Sequence, residues 1–147
     1  MDEIYQHAVK LLRRRDYTVG QMRRTLGERF GTVPEPIIDQ LIERLIERRF
    51  LDDRRFAENV VSRRDDAHPS RVLADLVQAG VAREIARQAI DARSWPSLQD
   101  VLKAKMNAWH LRPPLERRET ARLFRALSRL GYEEEEIREE LEQLHEQ

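Results

Sequence analysis

The sequence predicts an all-α protein, built as an elongated array of three tandem three-helix repeats with about nine helices, and three observations carry that prediction. Glycine is scarce, at 5 of 147 residues. Leu, Ala, Arg, Glu and Gln, all strong helix formers, fill the chain, while β-branched alternation over four or more positions is hard to find. A hydrophobic pair spaced by four recurs three times just ahead of a glycine, the kind of self-similarity that marks repeat architectures. The pairs are Met22/Leu26 before Gly31, Val72/Leu76 before Gly80 and Leu123/Leu127 before Gly131, and their second members lie 50 and 51 residues apart. The units so predicted are 1–50, 51–95 and 96–147, joined in one continuous array.

Taken in order, each unit opens with an amphipathic segment, continues through its hydrophobic pair to a glycine, and closes with a second amphipathic segment. The opening segments carry Ile4, Ala8, Leu11 and Leu12, then Phe56, Val60 and Val61, then Leu98, Val101 and Leu102. The closing segments carry Ile38, Leu41, Ile42 and Leu45, then Ile85, Ala89 and Ile90, then Ile137, Leu141 and Leu144. Thr18 with Gln21 has capping-box spacing and predicts a helix over 19–30. Asp52 and Asp53 are expected to accept the orphan N–H groups of the helix they precede, with Phe50-Leu51 packing as a hydrophobic staple. Ser97 with Asp100, and Pro36, Pro69, Pro96 and Pro113-Pro114, mark further starts, because proline is tolerated in a first turn and excluded from an interior. Gly31, Gly80 and Gly131 mark stops. A lone unit of this size buries too little to be comfortably stable, so stacking is expected, with Leu51, Phe56, Trp95, Leu98 and Trp109 as candidate contacts between units.

Composition bounds the chemistry. There is no cysteine, hence no disulfide framework and no thiolate metal site. The first twenty residues carry charges where a signal peptide needs an apolar run, and charged residues, 37% of the chain, interrupt every apolar stretch before it reaches membrane-spanning length. A cytoplasmic protein without membrane association is expected, and the length permits a monomer with its own core. His7, His68, His110 and His145 are scattered without a second ligand at metal-binding spacing. The carboxylate pairs Asp52-Asp53 and Asp65-Asp66 fall at a cap and in a turn. No phosphate-cradling glycine loop or G-x-S-x-G nucleophile motif is present. The reading is therefore a non-enzyme with no cofactor and no metal.

The net charge of zero conceals an asymmetry: residues 98–132 carry 8 basic and 3 acidic side chains, and 133–147 carry 1 and 8. Arginine supplies 24 of the 27 cations. Its planar fork suits carboxylates and phosphates, although a GC-rich coding genome favours the same bias. At 100° per residue, Arg118, Arg122, Arg125 and Arg129 share one narrow stripe of a helix over 115–130, opposite Leu123, Phe124, Leu127 and Leu130. Such a row attracts DNA phosphates or an acidic protein surface. It is equally what an ordinary solvated face looks like when partly paired with Glu133 to Glu136. A second basic group, Arg13-Arg14-Arg15 with Arg23 and Arg24, surrounds the first interhelix turn and has the same two readings.

These elements resemble a known family. The stretch from Ala8 through Leu12, Arg13-Arg14-Arg15-Asp16-Tyr17-Thr18 and Gln21 to Leu26 is similar to the opening of RecX regulatory proteins: an amphipathic helix, an Arg-Asp-aromatic-Ser/Thr turn, and a helix with a charged EL-xx-KL pattern. More specific is Phe50-Leu51-Asp52-Asp53-Arg54-Arg55-Phe56-Ala57, which resembles the family's aromatic-Leu-Asp-Asp-xx-Phe-Ala signature. Ser62-Arg63-Arg64, Val72 to Leu76 and Ala79-Gly80-Val81 continue the likeness, and Leu123 to Tyr132 resembles the Leu-Gly-aromatic close of the third unit. Two departures stand out: Asp65-Asp66-Ala67-His68-Pro69-Ser70 replaces a Gly-Tyr-Gly-like turn, and Arg49 replaces the usual glycine before the aromatic.

The resemblance implies a negative modulator of the RecA recombinase. It would lie along RecA filaments on single-stranded DNA, touching DNA directly or only through RecA, and would limit ATP turnover, filament extension and strand exchange in recombination and repair. On that reading Arg13, Arg14, Arg15, Arg23, Arg24, Arg118, Arg122, Arg125 and Arg129 are the candidate contacts, while Phe50, Leu51, Asp52, Asp53, Phe56 and Ala57 are structural. A stand-alone nucleic-acid-binding helical module, and a helical scaffold for another protein, are the alternatives from other classes.

Overall fold

The structure, a computed structural model, describes residues 2–146. Among them are nine helices and no strand: α1 (Asp2–Leu12), α2 (Val19–Arg29), α3 (Glu35–Glu47), α4 (Asp53–Arg63), α5 (Pro69–Gln78), α6 (Arg83–Asp91), α7 (Leu98–Ala108), α8 (Arg117–Arg129) and α9 (Glu134–Glu146). No helix among the described residues is long and apolar enough to cross a membrane. The chain divides into two compact units, and the division passes through α5: one unit holds the described residues up to Arg63 with Leu73–Ala92, the other holds Arg64–Val72 with the described residues from Arg93 on.

In the first unit the amphipathic stripes of α1, α2 and α3 meet in one core, where Ala8, Met22, Leu26, Leu41 and Leu45 are fully buried. Leu51 closes the same core at 1% exposure, whereas Phe50 beside it is 40% exposed. Of the pair expected to staple the entry of α4, Leu51 is thus packed into the α1–α3 core and Phe50 is not. Elsewhere in the unit α4 packs against α6, with Ala57 and Val61 on one side and Ala86, Ala89 and Ile90 on the other kept from solvent.

Thr18 organises this unit beyond its own helix. Its hydroxyl accepts from the Gln21 N–H at 3.0 Å while Gln21 accepts from the Thr18 N–H at 3.0 Å, completing the expected capping box. The same hydroxyl donates to the Ala79 carbonyl at 2.6 Å. Thr18 is fully buried, the one polar residue among the described residues to be so. The approach is close because Gly80 follows Ala79: a Cβ there would stand 3.1 Å from the Thr18 hydroxyl and 3.6 Å from the Gly20 Cα.

Asp52 and Asp53 divide the work expected of both. Asp52 accepts from the Arg55 N–H at 3.1 Å and caps its own helix. Asp53 accepts from the Val19 N–H at 2.9 Å, so it caps α2 from outside. Burial pushes its carboxyl above the usual range, the Val19 N–H opposes that shift and the neighbouring Asp52 charge adds to it.

In the second unit α7, α8 and α9 share a core in which Leu102, Leu123, Leu127 and Ile137 are almost fully buried, with Leu98 and Trp109 packed against it. The segment 64–72 is bound into this unit through its backbone. The His68 N–H donates to the Leu130 carbonyl at 2.8 Å, and the Tyr132 hydroxyl donates to the Asp66 carbonyl at 3.3 Å. Burial, followed by the Asp66 charge, raises the Tyr132 hydroxyl above its ordinary range. His68 also caps α5, its Nδ1 accepting from the Ser70 N–H at 3.0 Å.

Among the described residues four helices end in the same paired-carbonyl turn, in which the second residue past the cap bonds five positions back and its predecessor three back. Phe50 and Leu45, Val81 and Leu76, Leu111 and Met106, and Tyr132 and Leu127 make the longer bond. The turn needs a left-handed residue. Gly80 and Gly131 provide it with φ of 107° and 100°, while Arg49 and His110 adopt φ of 62° and 57° at the ends of α3 and α7. Gly31, expected to stop α2 in this way, does not have a positive φ, and the Phe30 N–H closes that helix on Leu26 instead. The prolines before α8 also stand off from its first turn, which opens at Glu116, whose N–H donates to the Glu119 carboxylate at 2.9 Å.

Candidate functional site

The row predicted on α8 is present. Helix α8 buries Leu123 and Leu127 against the second core, which turns Arg118, Arg122, Arg125 and Arg129 outward, and all four are exposed. Successive members stand three or four residues apart, so like charges face each other along the helix, an arrangement that costs about 0.2–0.5 kcal/mol per pair. Little on the molecule relieves this. Arg118 reaches Glu116 at 3.9 Å with both side chains largely in water, and the Arg122 guanidinium lies over the Trp109 ring at 3.9 Å. Arg125 and Arg129 have no ion pair or ring contact among the described residues. The pairing with Glu133 to Glu136 that would make the row an ordinary neutralised face is not formed: Glu134 and Glu135 pair with Arg138 of their own helix at 3.7 and 3.6 Å.

The first unit carries the second basic group. Arg13, Arg14 and Arg15 project from the turn after α1, and Arg23 and Arg24 from the outer face of α2, all exposed. Arg15 stacks on Tyr17 at 3.8 Å and donates to the Asp16 carbonyl, and Arg23 pairs with Asp39 at 3.3 Å. Arg13, Arg14 and Arg24 have no ion pair among the described residues. The two groups belong to different compact units.

Of the signature residues, Phe50 is 40% exposed and the others are buried or half-buried. Ala57 is fully buried, Phe56 half-buried and Leu51 buried, and the two aspartates cap two helices. Each histidine has its own local setting: His7 stands edge-on to Phe30, His68 caps α5, His110 turns the chain after α7, and His145 is near the end of α9. No group of three His, Asp or Glu among the described residues is placed to hold a metal ion. Sequence reasoning missed the Arg122–Trp109 contact, for which the only signal was an aromatic seven residues before the N-cap Glu116 of α8. It also missed a groove between α8 and α9, which no local pattern announces.

Fold and surface together define an all-helical protein that presents arginine to its surroundings. No protein-family model matches the sequence. The chain is 34% identical over 134 residues to the regulatory protein RecX of Pseudomonas syringae pv. tomato (strain ATCC BAA-871 / DC3000), covering 88% of this chain and 83% of the relative. It is 34% identical over 129 residues to that of Pseudomonas savastanoi pv. phaseolicola (strain 1448A / Race 6), covering 85% and 81%. To that of Serratia proteamaculans (strain 568) it is 26% identical over 159 residues, covering 93% and 95%. The crystal structure of RecX from Lactobacillus salivarius shares the fold, with a TM-score of 0.65 at 18% identity over 97% of this chain and 96% of that one. The chain belongs to the RecX family of regulatory proteins, and its role is that of a regulator.

Proposed function

We propose that this protein is a non-enzymatic negative modulator of the RecA recombinase. It works in the cytoplasm, as a monomer, by occupying RecA filaments on single-stranded DNA and so hindering ATP turnover, filament growth and strand exchange. The three trios α1–α3, α4–α6 and α7–α9 act in this reading as consecutive repeats of one array, each bringing part of its surface to the filament. The observation that carries the proposal is the α8 row. Four exposed arginines held against their own repulsion, with a single weak ion pair among them, are suited to an acidic or phosphate-bearing partner. The Arg13–Arg15 group, with Arg23 and Arg24, adds a second contact. DNA phosphate is met directly or through RecA.

Reversing Arg118, Arg122, Arg125 and Arg129 to glutamate tests this cleanly, because it inverts the sign while keeping the same like-charge spacing and therefore nearly the same helix stability. Inhibition of RecA should be lost with helicity intact. A companion reversal of Arg118, Arg125 and Arg129 spares the Trp109 stack and should behave alike. Undiminished inhibition by both variants removes the row from the mechanism. A stand-alone nucleic-acid binder would instead hold DNA tightly without RecA, with an affinity falling steeply as salt rises.

A further inference from the structure

On the flank of α8 that faces α9, separate from the outward arginine row except at Arg125, lies an open groove of about 810 Å³. Leu115, Phe124 and Leu141 form its floor, and Ala121, itself exposed, also lines it, so a larger side chain there would take up its space. Its rim is cationic. Arg117 and Arg125 stand on the α8 side and Arg138 on the α9 side, with Glu142 as the one acidic side chain in the lining among the described residues. Arg138 is held by Glu134 and Glu135 and lies over the Phe124 ring at 5.5 Å, while Arg117 and Arg125 have no ion pair among the described residues.

We propose that this groove is a docking site for an acidic amphipathic helix of a protein partner. A trough between two packed helices is the shape that receives a third, whose apolar residues at i, i+3, i+4 and i+7 enter the trough. The α8 side runs from Arg117 to Arg125, which is about 12 Å of helix and so about two turns of a guest. Leucine-sized side chains meet the Leu115, Phe124 and Leu141 floor, and flanking glutamates meet the two unpaired arginines. Nucleic acid fits poorly: the floor is mainly aliphatic, and Glu142 opposes a phosphate. The site stands whether or not the arginine row contacts RecA, since Arg125 is the one member of the row that lines it.

The test uses the full chain and a fluorescein-labelled helical peptide of Glu, Ala and Leu with leucines at i, i+3, i+4 and i+7, read by fluorescence anisotropy. A peptide with lysine in place of glutamate and a labelled oligo-dT serve as alternative probes. The glutamate peptide should bind, and Ala121→Trp, which fills the groove from an exposed position, should weaken it at least ~10-fold. Arg117→Glu should weaken it in the same direction, whereas Arg129→Glu, on the outward row, should leave it within about 2-fold. Any of four results overturns the proposal: no binding up to about 1 mM; equal binding of the lysine peptide; displacement by oligo-dT; or indifference to both Ala121→Trp and Arg117→Glu in chains of unchanged helicity. A concentration-dependent dimer that Ala121→Trp disperses would likewise overturn it, giving the groove to a second copy of this chain.

Discussion

Replacing Thr18 by valine keeps the shape of a fully buried side chain and removes only its hydroxyl, which makes the cost readable from the two bonds lost. The Gln21 N–H loses its cap acceptor at 3.0 Å, and loss of an N-cap costs about 0.5–2 kcal/mol. The Ala79 carbonyl loses its donor at 2.6 Å, and a buried acceptor left unmet costs about 1–3 kcal/mol. Sharing between the two bonds makes the total less than the sum of the upper values, so about 3 kcal/mol is expected. For a protein of this length that lowers Tm by about 6–12 °C. Thr18→Ser keeps both bonds and gives up one buried methyl, about 0.8 kcal/mol. Urea denaturation followed by circular dichroism at the helix band, on wild type and both variants, reads the difference directly. A valine variant no less stable than the serine variant would refute the view that this hydroxyl ties the start of α2 to the end of α5.

Arg49→Gly should stabilise the protein by about 0.5–1 kcal/mol in the same denaturation assay, because Arg49 sits at φ 62° where a side chain is strained and glycine is not, less the extra freedom glycine gains on unfolding. Gly131→Ala should destabilise by about 2–3 kcal/mol or more: its φ is 100°, and the new Cβ would stand 2.7 Å from the Cβ of Arg71. Asp53 separates two effects by pH. Its carboxyl is raised above the ordinary 3.8, so its stabilising contribution is complete when it is protonated below that value and is lost as pH rises through the raised folded value. Asp53→Asn keeps the acceptor for Val19 and should therefore gain on wild type near neutrality, with the gain vanishing in acid. Asp53→Ala, which leaves the Val19 N–H unmet, should lose about 1 kcal/mol at pH 7.

What was legible in the sequence was what is local. The capping box at Thr18 and Gln21 is a three-residue spacing, and the α8 row is a consequence of 100° per residue acting on four arginines, so both appear in the structure as read. The second duties of the same residues are not local. Thr18 meets Ala79 across 61 positions and Asp53 meets Val19 across 34, and no pattern within either helix encodes the partner. Arg49 was visible as a glycine missing from a family pattern, yet only the backbone shows that the left-handed turn is kept and the arginine bears it. Glu133 to Glu136 looked able to neutralise the row; helix geometry instead gives Arg138 to Glu134 and Glu135 at one turn's distance, which leaves the α8 arginines exposed. The groove on the α9 flank requires two helices laid side by side, and composition along one chain does not reveal it.

The central claim, that this regulator acts by restraining RecA, is tested most directly by the steady-state rate of ATP hydrolysis by RecA on single-stranded DNA as the protein is titrated in. A progressive fall in rate that saturates, and that the four-arginine reversal abolishes, is the predicted result. A rate that stays constant or rises across the titration would contradict it.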